Sequence, residues 1–244
     1  MKNYIIQLLI LISIWSCTDE NKTGVIVDAS IRSYGFDKLS SRTISFDFRG
    51  VEYSMSSNDN QKIYSRIFKN DSLKIIKDEL VNNSGFKRYL DGEPITVEES
   101  WAKKYSNSVN SVLYFFQLPQ GLNDPAVMKE HLGKKTISGE TYEKIKVTFE
   151  KEGGGDDYQD IFVYWFNSKT KMMDFLAYSY LTDGGGIRFR QAINRRKVDD
   201  FTFQDYINYE PINSNTKLSD LDEAFEAGQL KELSRIINEN IRVD

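Results

Sequence analysis

The sequence predicts an α+β fold in which antiparallel strands predominate and amphipathic helices lie across them. Three observations lead there. Apolar and polar residues alternate cleanly in Ile44-Ser45-Phe46-Asp47-Phe48 and again in Ile145-Lys146-Val147-Thr148-Phe149. Turn-forming residues recur at short intervals between such runs. One long stretch of helical periodicity separates the two groups of strands.

Val27, Ile31 and Tyr34 recur at helical spacing before Gly35, so the domain opens with a short amphipathic helix. Strands follow at Ile44–Phe48 and at roughly 51–56, 61–69, 73–80 and 85–91. Asn58-Asp59-Asn60, Asn70-Asp71 and Asn82-Asn83-Ser84-Gly85 supply the turns of an antiparallel meander. Thr96 and Glu99 fit a capping box, which starts a helix running to about Leu118. Trp101, Tyr105, Val109, Val112 and Phe116 line one stripe of it, opposite Lys103, Asn107 and Asn110. So wide an apolar face suits a helix laid across a sheet. Pro119 ends it. Asp124-Pro125 then reads as an N-cap and first helical position, and Gly133 as a terminator, which puts His131 in the last turn of a short helix.

In the second half, Ile145, Val147 and Phe149 are expected inside, with Lys144, Lys146 and Glu150 in water. Aromatic-rich strands follow at about 160–167, 174–182, 187–193 and 201–209. After Pro211 a polar linker leads to Leu218–Ile241, whose spacing suggests an amphipathic helix broken at Gly228. The expected organisation is a leader over 1–16, a tether over 17–24, a sheet domain over 25–210, and a linker with C-terminal helices over 211–244.

Met1–Ser16 carries Lys2 and then an apolar run from Tyr4 to Trp15, too short to span a bilayer and shaped like a cleavable secretory signal. Ile14-Trp15-Ser16-Cys17 resembles the lipobox of bacterial lipoproteins. The resemblance implies that Cys17 is lipidated and anchors the chain to a membrane. Thr18-Asp19-Glu20 resembles the acidic signal that directs lipoproteins to the outer membrane, facing the periplasm or, in certain lineages, the cell surface.

Without the leader, 31 basic residues face 36 acidic ones, a net charge of −5 with no basic patch of the kind nucleic acid requires. Cys17 is the only cysteine, so once it is lipidated no disulfide or thiolate metal site remains. His131 is the only histidine and is read as structural. No cofactor is expected.

The order of helices and strands resembles the Lol-type lipoprotein carriers. Tyr34-Gly35-Phe36-Asp37-Lys38-Leu39, Phe86-Lys87-Arg88-Tyr89-Leu90-Asp91-Gly92 and the hairpins from Tyr142 to Tyr209 carry the likeness. It implies a strongly curved antiparallel sheet, a half-barrel covered by helices over an apolar cavity. The wording of Tyr105-Ser106-Asn107-Ser108-Val109-Asn110-Ser111, Gly121-Leu122-Asn123-Asp124-Pro125 and Asp183-Gly184-Gly185-Gly186 resembles more specifically a family of bacterial outer-membrane lipoproteins of unknown function.

Candidate functional residues follow from the residue types. Gly153-Gly154-Gly155 and Gly184-Gly185-Gly186 suit hairpin turns. Glu152, Asp156, Asp157 and Asp160 are weak calcium candidates that lack EF-hand spacing. Arg188 and Arg190 share a strand face and, with Asp183, would hold an anionic head group. Phe46, Phe48, Trp165 and Phe189 either fill an ordinary core or line a ligand pocket. The expected function is noncatalytic binding of a hydrophobic or lipid-like ligand. The alternatives are an interaction module of a cell-envelope or nutrient-uptake complex, and a hydrolase built on Asp156, Asp157 and Asp183. An empty apolar volume of about 300 Å³ or more enclosed on the concave side of the sheet would favour ligand binding.

Overall fold

The computed structural model describes residues 22–40, 42–58, 61–82 and 84–244. The leader, Cys17, the acidic run Thr18–Glu20 and the turn residues Asp59, Asn60 and Asn83 lie outside the described residues.

Strands alternate through the chain to form two open, seven-stranded antiparallel sheets. The first contains β1 (Thr43–Phe48), β2 (Val51–Asn58), β3 (Gln61–Lys69), β4 (Ile75–Val81), β5 (Gly85–Leu90) and β6 (Glu93–Ile95) as a meander, with β14 (Glu239–Val243) added beside β1. The second is a meander of β7 (Val127–Ile137), β8 (Glu140–Phe149), β9 (Ile161–Asn167), β10 (Met173–Tyr180), β11 (Gly186–Val198), β12 (Phe201–Pro211) and β13 (Leu230–Ile236). Thus the class is α+β, and two open sheets replace the single half-barrel sheet expected.

The opening helix α1 (residues 22–34) buries Val27, Ile31 and Tyr34, as its spacing predicts. Gly35 ends it with φ +78°, and a Cβ there would meet the backbone oxygen of Asp200 at 2.3 Å, so conformation and close approach both demand glycine. α2 (Glu99–Phe116) packs across β2 to β5. Its cap is Glu98, whose side chain accepts from the Ser100 backbone N–H, in place of the expected Thr96. Val109 and Leu113 are its buried residues, while Trp101 stays half exposed.

Two compact units divide the chain discontinuously. One holds the described residues up to Ser33 with Leu122–Ala192 and Ile207–Ser234; the other holds Tyr34–Gly121, Ile193–Tyr206 and Arg235–Asp244.

His131, the tail and Lys144 also depart from the sequence expectation. His131 lies on β7, not in a helix, because Gly133 marks a bulge in the pairing with β8 (φ +94°). Its Nδ1 accepts from Lys22 Nζ at 3.2 Å and its Nε2 meets Glu143 at 2.7 Å. Burial would raise the Glu143 carboxyl, but bonds from His131 and Lys134 prevail and hold it below the usual carboxylate range.

The tail is the second of these. Its helical part is confined to a 3-10 turn (Leu218–Asp220) and the short α3 (Leu221–Glu226), and the chain beyond Gly228 forms β13 and β14, so 211–244 is not a set of C-terminal amphipathic helices but contributes a strand to each sheet. Between them the Asn238 N–H donates to buried Asp205 at 2.9 Å.

Lys144 is the third. It pairs with Trp165 on the face of the second sheet where Val163, Trp165, Phe175, Ala177 and Phe189 pack with Leu221 and Phe225 of α3. Instead of lying in water, Lys144 is mostly buried against Asp222 at 2.9 Å, and the Trp165 indole N–H donates to the same carboxylate at 3.2 Å. A lysine under α3 is tolerated because its charge is matched there. Ile145 and Val147 on the opposite face are fully buried as expected, whereas Phe149 is half buried.

Candidate ligand site

Period-two alternation aims one face of the first sheet at α2. Along that face, register places Tyr53, Arg66, Asp78 and Arg88 side by side on β2 to β5. One tier away, Phe68, Ile76 and Leu90 neighbour one another on β3, β4 and β5. A charged row therefore runs beside an apolar one.

The charged row is tightly built. Asp78 is completely buried and accepts from Arg66 Nε at 2.8 Å, Arg88 Nε at 2.6 Å and Arg88 Nη2 at 2.8 Å. Arg66 Nη1 also donates to Ser108 Oγ on α2 at 2.8 Å. The Arg88 guanidinium lies 3.6 Å from the ring centroid of Tyr105, which Trp101 stacks upon in turn at 5.6 Å. The bond to Asp78 raises the Arg88 pKa against the lowering effect of burial, so the guanidinium stays charged at any physiological pH. Two cations thus share one carboxylate, a formal charge of +1.

This row opens onto a groove of about 410 Å³ lined by Val51, Arg66, Phe68, Asn70, Ile76, Arg88 and Tyr105. Its volume falls within the ~300–1,000 Å³ of ligand pockets, and its composition matches theirs, mostly apolar with a few fixed polar groups. A smaller cavity of about 170 Å³ lies between Leu39, Met55, Tyr64, Gln117 and Gln120.

The residues singled out from the sequence are dispersed. Phe46 is fully buried and stacks on Phe116 of α2 at 3.7 Å, whereas Phe48, on the same sheet face, is half buried beneath Arg49. Trp165 and Phe189 are fully buried in the core under α3, where packing fills the space above them. Arg188 and Arg190 share the opposite face of that sheet from Phe189. Arg190 donates to the Tyr178 hydroxyl at 2.9 Å, and Arg188 lies 5.4 Å from the ring centroid of Tyr180. Asp183 sits in a 3-10 turn, and its side chain lies outside the described set. Gly153, Gly155, Gly184 and Gly185 all adopt positive φ in turns, as hairpin connections require. Among the described residues no three acidic or histidine side chains form a metal-holding group, so Glu152, Asp156 and Asp157 are not gathered into one. Burial, reinforced by Asp157, pushes the Asp160 carboxyl up to about 6.

A model of the family of unknown function DUF6503 matches residues 2–238. The chain belongs to that family. No curated protein matches the DUF6503 chain. Among solved structures, it resembles a DUF1329 family protein from Desulfovibrio piger at 14% identity and TM-score 0.45, with 91% of this chain and 92% of that chain covered. It also resembles an outer-membrane lipoprotein-sorting protein domain from Vibrio parahaemolyticus at 8% identity and TM-score 0.46, covering 89% and 92%. A LolA superfamily protein from Nitrosomonas europaea is similar at 11% identity and TM-score 0.44, covering 90% and 92%.

Arg66, Asp78 and Arg88 of the DUF6503 chain were not among the sequence candidates, yet a signal for them exists. Reflecting position 66 about the centre of the Asn70–Lys74 turn gives 78, and reflecting 78 about the centre of the next turn gives 88. A meander with tight turns therefore brings the three together, as the pairings Arg66↔Asp78 and Asp78↔Arg88 show.

Proposed function

We propose that this DUF6503 chain is a membrane-tethered envelope lipoprotein that binds a hydrophobic or lipid-like ligand without converting it. The groove of about 410 Å³ beside Arg66, Arg88 and Tyr105 carries the reading. Val51, Phe68 and Ile76 offer apolar wall, and burying it against a ligand yields roughly 25 cal/mol per Å². The polar groups beside it favour binding over catalysis. Asp78 is saturated by two guanidiniums, and guanidiniums do not exchange protons near neutral pH. The tether is supported by the apolar leader and Cys17, and the acidic run after Cys17 supports an outer-membrane destination.

An interaction module would be favoured by exposed aromatics on the tail helix. Phe225 of α3 instead packs on Phe175 and Phe189, with ring centroids 5.3 and 5.1 Å away.

Uptake of dodecanol by the full chain, followed by native mass spectrometry, tests the binding reading. One alcohol per chain is expected, with uptake strongly reduced by Val51→Trp, which places an indole across part of the groove. No uptake by the wild type, or full uptake by a folded Val51→Trp variant, would refute it.

A further inference from the structure

We infer that the groove selects a single-chain amphiphile with an anionic head, a carboxylate or a phosphate, held by Arg66 and Arg88. The inference rests on the groove being a ligand site and adds the chemical class of its occupant.

Charge balance is the first ground. Asp78 is fully buried and neutralises only one of its two guanidinium partners, so the polar end of the groove keeps a formal positive charge beside apolar walls. Both arginine side chains retain 12% exposure, and both line the groove. A second anion has access to them without displacing Asp78.

Pre-organisation is the second ground. Each arginine is immobilised before a ligand arrives: Arg66 spans Asp78 and Ser108, and Arg88 is held bidentately by Asp78 beneath the Tyr105 ring. Binding an anion there costs little of the side-chain entropy that a free surface arginine would lose. Guanidinium geometry also favours carboxylate and phosphate over a point charge or a neutral hydroxyl.

Layout is the third. Phe68 and Ile76 lie two residues along the same strands from Arg66 and Asp78, a separation of about 7 Å on the same sheet face. A head group on the arginine row therefore directs its first methylenes along the apolar row, which neither a free inorganic anion nor a neutral oil exploits in full.

Isothermal titration of the full chain with dodecanoate, dodecyl phosphate and dodecanol at pH 7 tests this. At least one of the anions should bind tenfold or more tightly than dodecanol, the worth of about one charge-assisted hydrogen bond. Preference for dodecanoate assigns a fatty acid, and preference for dodecyl phosphate assigns a phospholipid-like head. Arg66→Gln should erase the preference, so that within this variant the anions bind no more than about twofold more tightly than dodecanol. Should Arg66→Gln fail to fold, raising the salt concentration with the wild type is the second readout, weakening the anions and sparing the alcohol. Dodecanol binding as tightly as both anions would overturn the inference and leave the hydrophobic-ligand reading standing. Retention of the preference in folded Arg66→Gln would also overturn it, whereas no binding of any probe would remove the underlying reading as well.

Discussion

Arg88 sits over the ring of Tyr105, 3.6 Å from its centroid, while holding Asp78 at 2.6 and 2.8 Å through two nitrogens. That contact joins α2 to β5 and, through Asp78, to β4 by charge and aromatic surface together. It also explains how a carboxylate with no exposure is tolerated at all, since two guanidiniums replace its lost hydration.

Breaking this cluster at its centre should be costly. Asp78→Ala leaves two largely buried guanidiniums facing each other and should lose about 3–5 kcal/mol in denaturant melts. A loss within about 0.5 kcal/mol, typical of a surface site, would show that the row is solvated and unimportant to the fold.

The fold was legible in the sequence wherever a strand has neighbours on either side. Ile44, Phe46, Ile145 and Val147 alternate because each interior strand buries one face or both, and the strands expected around them are the ones found. The strands missed, β6, β7, β13 and β14, are the four sheet edges. Edge strands are kept short or polar to discourage further pairing, so their alternation is weak. On β7, Met128 and Leu132 point to solvent while Lys129 and His131 are half buried, and the Asp-Pro and Gly signals then imitate a helix. On β13, Leu230 and Leu233 continue the helical spacing of α3 by coincidence, and Leu233 is exposed. The charged row was hidden for another reason. Arg66, Asp78 and Arg88 are local to no motif, and only pairing across two turns unites them.

The core beneath α3 should respond as packed interior. Trp165→Ala removes a fully buried indole and should cost about 3–5 kcal/mol. Asp222→Ala should cost a similar amount by stranding Lys144, whereas Lys146→Ala, whose side chain is 38% exposed, should stay within about 0.5 kcal/mol. Equal effects for the three in urea melts would contradict the assigned register.

Stability should depend on pH through Asp160. Its folded carboxyl titrates near 6 against an ordinary 3.8, so the native state binds this proton more tightly than the unfolded chain does. The resulting stabilisation is present at low pH and is lost as pH rises from about 4 through about 6. Asp160→Asn should flatten that part of the melting-temperature profile. An identical profile in the variant would contradict the assignment.

The tether is checked by mass spectrometry of the protein made in a double-membraned bacterium. Acylated Cys17 is the expected N-terminus, and Cys17→Ser should abolish acylation. A mature N-terminus elsewhere in the wild type would refute the lipoprotein reading.

Photolabelling tests the site most directly. A fatty acid bearing a diazirine along its chain should, on irradiation with the full chain, attach to peptides containing Val51, Phe68 or Ile76, and unlabelled dodecanoate should compete. Labelling confined to the Trp165 and Phe189 strands, or labelling that dodecanoate leaves unchanged, would contradict a ligand site beside Arg66 and Arg88.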